Sequence, residues 1–537
     1  MTHDPLTIAG PAPSPVAEPP RQSRWSRIPW HTFLLAAYPV LFVYAGNVAE
    51  VNVADVLVPL LALEAVALVA VVLLTLLFRD PRRAGIVVSV AIVVLMLFHP
   101  WSDGIRKEVP RFARFAFQEA PALGLSIVAI VLAGLVAWRL RKRLGSVTTA
   151  LNVIAAVLAG FMVVQVLPDI VSGATSEPEM IDRLPITAEG PGTQRDIYYI
   201  VLDRYGSERS IGSLFGIEDN DFDEWLTGNG FQVVKDAHSN YVSTTLSLAS
   251  TLNLEYLSTL IPEDHKNVED FQTIFNLLQD HRLGRFLRSQ GYEYVQVGGW
   301  FGPTREARIA NESLHPDVLS DFAAAVVDNS ALPLIAKVAG LEFESDDADR
   351  HAEAARFQFD AIKTVTDRPG PTFVFSHILM PHPPYVFTED GTFVDPQGEG
   401  PHATYATQLR YTNQQMKEFL EPLLALPEAE RPIIIIQADE GPYPERNAAL
   451  RAANWENATP DELEQKYGIL SAFLLPGDPT GGAPLDPDMS SVNTFRMLLD
   501  RYWGADLPLL EDRAWVSKKA KPYDMTEITD RLPSLQD

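Results

Sequence analysis

Four short stretches of this chain bring together residue types that can do chemistry. Asp203, in IVLDRYG, closes an apolar run with a carboxylate that can hold a hard cation or cap a turn. Asp439-Glu440-Gly441 follows IIIIQA, and two adjacent carboxylates leaving a buried strand repel each other unless a cation or solvent relieves them. In SNYVSTTLSLAST (239–251) a run of hydroxyls enters an apolar helical stretch. Ser243, Thr244 or Thr245 can cap that helix or act there as a nucleophile. The positive end of the dipole and the free backbone N–H groups favour an alkoxide and an incoming phosphate or sulfate ester. In FVFSHILMPHPPYVF (373–387), His377 ends a strand and His382 is held between prolines. Either can donate a proton to a leaving oxygen or contact a substrate anion.

Such residues act together only if the chain between them forms a frame. From residue 196 onward, short apolar runs alternate with amphipathic stretches, the pattern of an α/β sheet covered by helices on both faces. Strands are predicted at 197–203, 231–236, 292–299, 372–378, 433–439 and 469–477. Helices are predicted at 244–258, 268–289, 350–366, 405–424 and 491–502, with Gly230, Gly291 and Gly441 at the exchanges. Ligands of such sheets bind outside the carboxyl ends of the strands. Asp203, Asp439-Glu440-Gly441 and the hydroxyl run at 239–251 all follow such ends.

The first third reads differently. Apolar runs at about 30–48, 54–78, 84–101, 121–138 and 150–170 are each near the roughly 20 residues that cross a bilayer, which predicts five spans. The fold class expected is a multi-pass α-helical membrane domain followed by an α/β (α/β/α sandwich) domain. The expected limits are a disordered Pro-rich lead at 1–29, membrane helices at 30–171 and a linker at 172–194. An extracytoplasmic catalytic domain at 195–517 and a charged tail at 518–537 follow. Arginines and lysines at 21–27, 79–83 and 139–143 fall on one side of five spans, and the positive-inside rule makes that side cytoplasmic. The dissenting basic segment, VPRFARFAFQEAP, alternates Arg with Phe and suits an interface with anionic head groups.

Composition narrows the class. A net charge of -26 argues against a nucleic-acid partner. The absence of cysteine excludes disulfides, thiolate zinc sites and a cysteine nucleophile. No G-x-S-x-G elbow, H-E-x-x-H or P-loop is present.

The order of the four stretches is more specific than any one of them. Strand–Asp203, Thr244-x-x-Ser247 opening a helix, Pro381-His382-Pro383-Pro384-Tyr385 and strand–Asp439-Glu440-Gly441 resemble the sulfatase-like branch of the alkaline phosphatase superfamily. That branch includes lipoteichoic acid synthases and lipid A phosphoethanolamine transferases, which carry a catalytic domain outside five membrane helices. The resemblance covers about 195–510. It implies Thr244 as nucleophile, with Asp203, Thr244, Asp439 and Glu440 around one divalent metal. It also implies His382 beside the leaving group, and His377, Trp300 and Arg305 as substrate contacts.

Glu440 departs from the branch, whose members usually have His or Asn there. An all-oxygen ligand set favours Mn2+ or Mg2+, with Ca2+ or Zn2+ as alternatives. Thr244-Thr245-Leu246-Ser247 lacks the proline and arginine of a formylglycine sulfatase motif, which argues against sulfate-ester hydrolysis by that route. The implied activity is transfer of a phospho-head-group at the cytoplasmic membrane, from a phospholipid or other phosphate-ester donor to an envelope lipid or glycan acceptor. Alternatives are a hydrolase of the same fold and a non-catalytic scaffold or sensor with a degenerate metal site. The oligomeric state is left open.

Overall fold

The computed structural model describes residues 28–533, with breaks at 48–50, 52, 141–142, 176–185, 191, 262, 269–270, 341–346, 397, 399–401, 453–454, 456 and 519–520. Nearly all of the Pro-rich lead and the middle of the expected linker lie outside the described residues.

A seven-stranded sheet carries the second part of the chain. Its strands are β1 (Ile197–Leu202), β2 (Gln232–Val233), β3 (Glu293–Val297), β4 (Glu312–Leu314), β5 (Thr372–Ile378), β6 (Ile433–Gln437) and β7 (Ser471–Leu474), in the order β2-β7-β6-β1-β5-β3-β4. β6, β1, β5, β3 and β4 are parallel, whereas β7 and β2 add antiparallel pairings at one edge. β1 is buried along its whole length, which is why IYYIVL reads as an unbroken apolar run. Successive side chains on a strand face opposite ways. Tyr198 accordingly packs on Phe419 of the Tyr405–Leu424 helix and Tyr199 on Phe495 of the Thr494–Trp503 helix. Those two contacts define the helical layers above and below the sheet.

Three segments differ from expectation. The predicted 268–289 helix is two helices, Gln272–Gln279 and Arg282–Ser289, because the His281 ring accepts from the Gly284 N–H and starts a new helix. The predicted 244–258 helix stops at Asn253, where Leu254 takes a left-handed conformation. The expected charged tail is partly folded: β8 (Trp515–Lys518) pairs with β9 (Lys521–Glu527), and Tyr523, Ile528 and Leu532 are buried. Alternating polar residues mask the apolar face of that hairpin in the sequence.

Six helices form the first part: α1 (Trp30–Asn47), α2 (Val53–Phe78), α3 (Pro81–Met96), α4 (Phe98–Glu108), α5 (Glu119–Arg139) and α6 (Leu144–Thr175). Asp55–Phe78, Glu119–Arg139 and Leu144–Leu167 are long and apolar enough to cross a membrane, matching the expected 54–78, 121–138 and 150–170 spans. The expected 84–101 span is α3 and α4, bent by 65°. α1 is helical over the first expected span but falls short of that test. It is enclosed by its neighbours, and His31 at its start lies 2.6 Å from Ser89 Oγ while its N–H donates to Asn152.

Candidate active site

Register brings the chemistry together. β1 lies between β5 and β6, so Val201 stands beside His377 and Gln437. Asp203 follows at the end of β1, with its N–H donating to the Ile378 carbonyl, and Asp439 follows two residues after Gln437. Oxygen or nitrogen atoms of Asp203, His377 and Asp439 consequently lie within 4.8 Å of one another, and all three side chains are buried. His377 Nε2 stands 3.4 Å from Asp203 Oδ2, an ion-pair distance. Its Nδ1 is 2.9 Å from Thr304 Oγ1, and its backbone carbonyl accepts from Gln358.

The electrostatics of this cluster are unbalanced. Burial alone would raise the Asp203 carboxyl, but His382, His377 and Arg204 outweigh it and hold it well below the usual range. Asp439 is raised by burial and by its neighbours Asp203 and Glu440. Burial alone would lower the His377 imidazole, yet Asp203, Asp439 and Glu440 raise it. Two carboxylates this close favour opposite protonation states unless a cation compensates them. Asp203 Oδ1, Asp439 Oδ2 and His377 Nε2 are buried without a hydrogen-bond partner. Three convergent, unsatisfied donors of these types fit a divalent cation.

Thr244 opens the Thr244–Asn253 helix and lies close enough to Asp439 to lower that carboxyl's proton affinity, while Asp439 Oδ1 accepts from the Arg204 N–H at 3.3 Å. Ser243 holds the cap position without a side-chain cap bond, so the first N–H groups of this helix remain available beside the cluster. Thr245 is buried, and Ser247 Oγ donates to the Tyr241 carbonyl, which anchors the loop leading into the helix. Thr244 itself lines an open cleft of about 210 Å³ together with Arg204, Phe301, Glu440, Tyr443 and Lys466.

Glu440, expected as a metal ligand, is paired through one of its two oxygens. Its Oε1 is 2.9 Å from Arg204 Nε and 2.9 Å from Lys466 Nζ. Its Oε2 is buried without a hydrogen-bond partner, and the Asp203–His377–Asp439 cluster comes together beside it. His377, expected as a substrate contact, stands in the cluster with Asp203 and Asp439. The donor set of that cluster is mixed nitrogen and oxygen, so it no longer gives the all-oxygen ground for preferring Mn2+ or Mg2+ over Zn2+.

The remaining expected residues are His382, Trp300 and Arg305, with His351 beside the first two. His382 follows the cis Met380–Pro381 bond, and its Nδ1 contacts the Pro383 carbonyl. Its ring is 6.3 Å from Trp300 and 6.2 Å from His351, and burial with help from Arg204 lowers its proton affinity well below the usual imidazole range. Trp300 Nε1 donates to His351 Nδ1 at 3.2 Å. The Arg305 guanidinium is held by the carbonyls of Gly299 and Pro316, at 3.1 and 2.9 Å.

Several residues of the site carried no readable signal. Arg204 adopts a positive φ of 62°, which turns its side chain onto Glu440 and the Tyr443 ring. Lys466 is 1% exposed, near the end of the Pro460–Tyr467 helix, where a lysine would be expected to face water. Thr304 and His351 are single polar residues in ordinary surroundings. Only the two adjacent carboxylates at 439–440 hinted that buried cations must be near.

The Sulfatase family model matches residues 199–500. No curated protein matches the chain. Among solved structures, the C-terminal periplasmic domain of EcEptC from Escherichia coli is similar at 13% identity and a TM-score of 0.42, over 65% of this chain and 97% of that one. The phosphonate monoester hydrolase of Agrobacterium radiobacter is similar at 13% identity and a TM-score of 0.39, over 60% and 80%. The C-terminal periplasmic domain of phosphoethanolamine transferase EptC from Campylobacter jejuni aligns at 13% identity and a TM-score of 0.33, over 64% and 96%. Because the family match spans more than half of the 537 residues and contains every member of the buried cluster, this protein belongs to the sulfatase family.

Proposed function

We propose that this protein is a membrane-anchored, metal-dependent phosphotransferase. It would move a phospho-head-group from a phospholipid-type donor to a hydroxyl of an envelope lipid or glycan, with its catalytic domain outside the cytoplasmic membrane. The observation that supports this most directly is the buried Asp203–His377–Asp439 cluster beside Thr244 at a helix N-terminus, in a sulfatase-family sheet joined to apolar helices of crossing length.

Asp203, His377 and Asp439 would hold one divalent ion, Mn2+ or Zn2+ suiting the mixed donors best. Bound there, it supplies positive charge that lowers the pKa of a nearby hydroxyl and offsets charge on phosphoryl oxygens. The chain's own residues do the rest. Thr244 Oγ1 forms a bond to phosphorus as the bond to the donor alcohol breaks, and the Thr244 proton passes to the nearby Asp439 carboxylate. His382 delivers a proton to the departing oxygen. Its proton affinity is low in the free site, and the negative charge of an arriving ester raises it. In the second half the acceptor hydroxyl attacks phosphorus and gives its proton to His382, while Thr244 recovers its own from Asp439. Arg204 and Lys466, at the wall of the cleft, lend further positive charge.

The test is product analysis with the full chain in vesicles that contain a labelled phospholipid donor, with Mn2+ or Zn2+ added. Label appearing on a hydroxyl-bearing acceptor supports a transferase. Label released only as soluble head group or phosphate, with or without acceptor, makes the protein a hydrolase of the same fold. No turnover under either metal returns the reading to a non-catalytic scaffold.

A further inference from the structure

Between β4 and the Asp347–Thr364 helix the catalytic domain sends out two helices, Asp321–Asp328 and Leu332–Ala339, bent by 73° at their junction. The first buries Phe322 and Val326 against Val40, Val43, Tyr44 and Val56 of α1 and α2. Phe322 meets the Tyr44 ring edge-on at 6.3 Å. At the corner, the Ala331 N–H donates to the Leu95 carbonyl at 2.7 Å, and the His99 N–H donates to the Asn329 carbonyl at 3.2 Å. Ala331 and Leu334 pack with Phe98, Trp101 and Ala122. The excursion therefore sits where α3 ends, α4 begins and α5 starts, at one end of the apolar helices.

The second helix presents what a soluble domain normally hides. In LPLIAKVA, Leu332, Ile335 and Val338 lie three residues apart on one face and are 38%, 36% and 73% exposed, whereas Ala336 faces inward. Lys337 is its one charged residue. On the other flank of α4, the Arg111–Phe117 turn exposes Phe112 at 81% and Phe115 at 66%, interleaved with Arg111 and Arg114. Both features contact α5, at its start for the second helix, and the exposed apolar residues of α5 include Leu125, Ile127 and Val128.

We infer that the Leu332–Ala339 helix is a membrane-embedded element of the catalytic domain, which with the Arg111–Phe117 turn sinks apolar side chains into the bilayer surface. The occupant is lipid, because the exposed face continues the surface of the apolar helices and carries basic residues at its rim. Apolar faces edged by Arg and Lys bind at the boundary between head groups and acyl chains. This rests on the reading that α2, α5 and α6 cross a bilayer, and it adds that the catalytic domain touches the same bilayer itself. A domain pinned in this way keeps its cleft at a fixed height over the lipid surface.

The chain has no cysteine, so single-cysteine labelling is clean. Val338→Cys, Phe112→Cys, Leu61→Cys in α2 and Gln414→Cys on the Tyr405–Leu424 helix would each be labelled with a polarity-sensitive fluorophore. The full chain would then be placed in vesicles of zwitterionic and anionic lipid. The expected result is blue-shifted emission at 338 and 112, strong quenching by lipids carrying a nitroxide near the head group, and resistance to aqueous iodide. Position 414 should show the reverse. A label at 338 as accessible to iodide as that at 414 would overturn the inference, and so would protection from both quenchers, which would mean a protein partner. Failure of nitroxide lipids to quench position 61 would instead refute the spans themselves.

Discussion

Glu440 Oε1 lies 2.9 Å from Arg204 Nε and 2.9 Å from Lys466 Nζ, so the carboxylate next to Asp439 is committed to two cations of the protein. Asp439 and Glu440 are neighbours in sequence with different surroundings: one faces the buried cluster, the other offsets part of the charge of Arg204 and Lys466 at the wall of the cleft. Removing the charge of Glu440 strands Arg204 and Lys466 in a buried setting, which typically costs about 3–5 kcal/mol. Glu440→Gln is therefore expected to melt earlier yet retain its metal, whereas Asp439→Asn loses it. Metal stoichiometry and thermal melts on both variants check this. Loss of metal in Glu440→Gln would return Glu440 to the ligand set.

Thr304 fixes the His377 ring through its 2.9 Å contact with Nδ1 and leaves Nε2 facing Asp203. Partners of this kind orient a ligating imidazole, and losing one typically costs about 10–100-fold in metal affinity or activity. Thr304→Val, nearly isosteric, is expected to weaken metal binding by about that factor with little change in fold, and Thr304→Ser to restore it. Titration with a competing chelator gives the answer; equal affinity in all three proteins would leave Thr304 a packing residue.

Gly441 is needed for its lack of a side chain. A Cβ there would overlap the Gln465 carbonyl and come within 2.9 Å of the carbonyls of Lys466 and Gly468. All three are backbone atoms at the end of the helix that carries Lys466 and cannot yield cheaply. Gly441→Ala is expected to shift that helix end, lower the yield of folded protein and reduce turnover. Circular dichroism and activity at matched folded concentration test it.

That helix is also pH-sensitive at its start. The Glu462 carboxylate accepts from Arg446 at 2.7 Å twice and from the Thr459 N–H at 2.8 Å, which brings it down to about 2 from 4.5. Because the folded value is depressed, the unfolded chain takes up the proton first. The stabilisation is thus full above pH 4.5 and lost as pH falls toward 2. Arg446 is about half exposed, so solvent screens the pair and its worth is small. Glu462→Gln should lower the melting temperature by about 2 °C at neutral pH. The gap should close in acid and shrink in high salt. A gap independent of pH would assign the effect to the capping geometry alone.

The sequence made the frame of the site legible because its strands are buried on both faces and read as apolar runs. IYYIVL, TFVFSHI and IIIIQ end where β1, β5 and β6 end, and Asp203 and Asp439, just beyond β1 and β6, meet His377 near the end of β5. It did not reveal that His377 would stand in that cluster, since strand pairing decides this and local spacing does not encode register. Lys466 was illegible for a related reason: PDELEQKY has the composition of an exposed helix, and only tertiary packing buries its lysine. The bend between α3 and α4 escaped notice because Leu97 and Phe98 are as apolar as their neighbours.

The central claim is that Thr244 carries the transferred group. The direct measurement is intact mass, followed by peptide mapping, of the full chain quenched in acid during turnover of a phosphodiester with Mn2+ or Zn2+, wild type beside Thr244→Ala. The account predicts a covalent phospho-adduct on Thr244, absent from the alanine variant, whose turnover falls by at least about a thousandfold. Turnover in Thr244→Ala at the wild-type rate, or an adduct mapped to another residue, would contradict it.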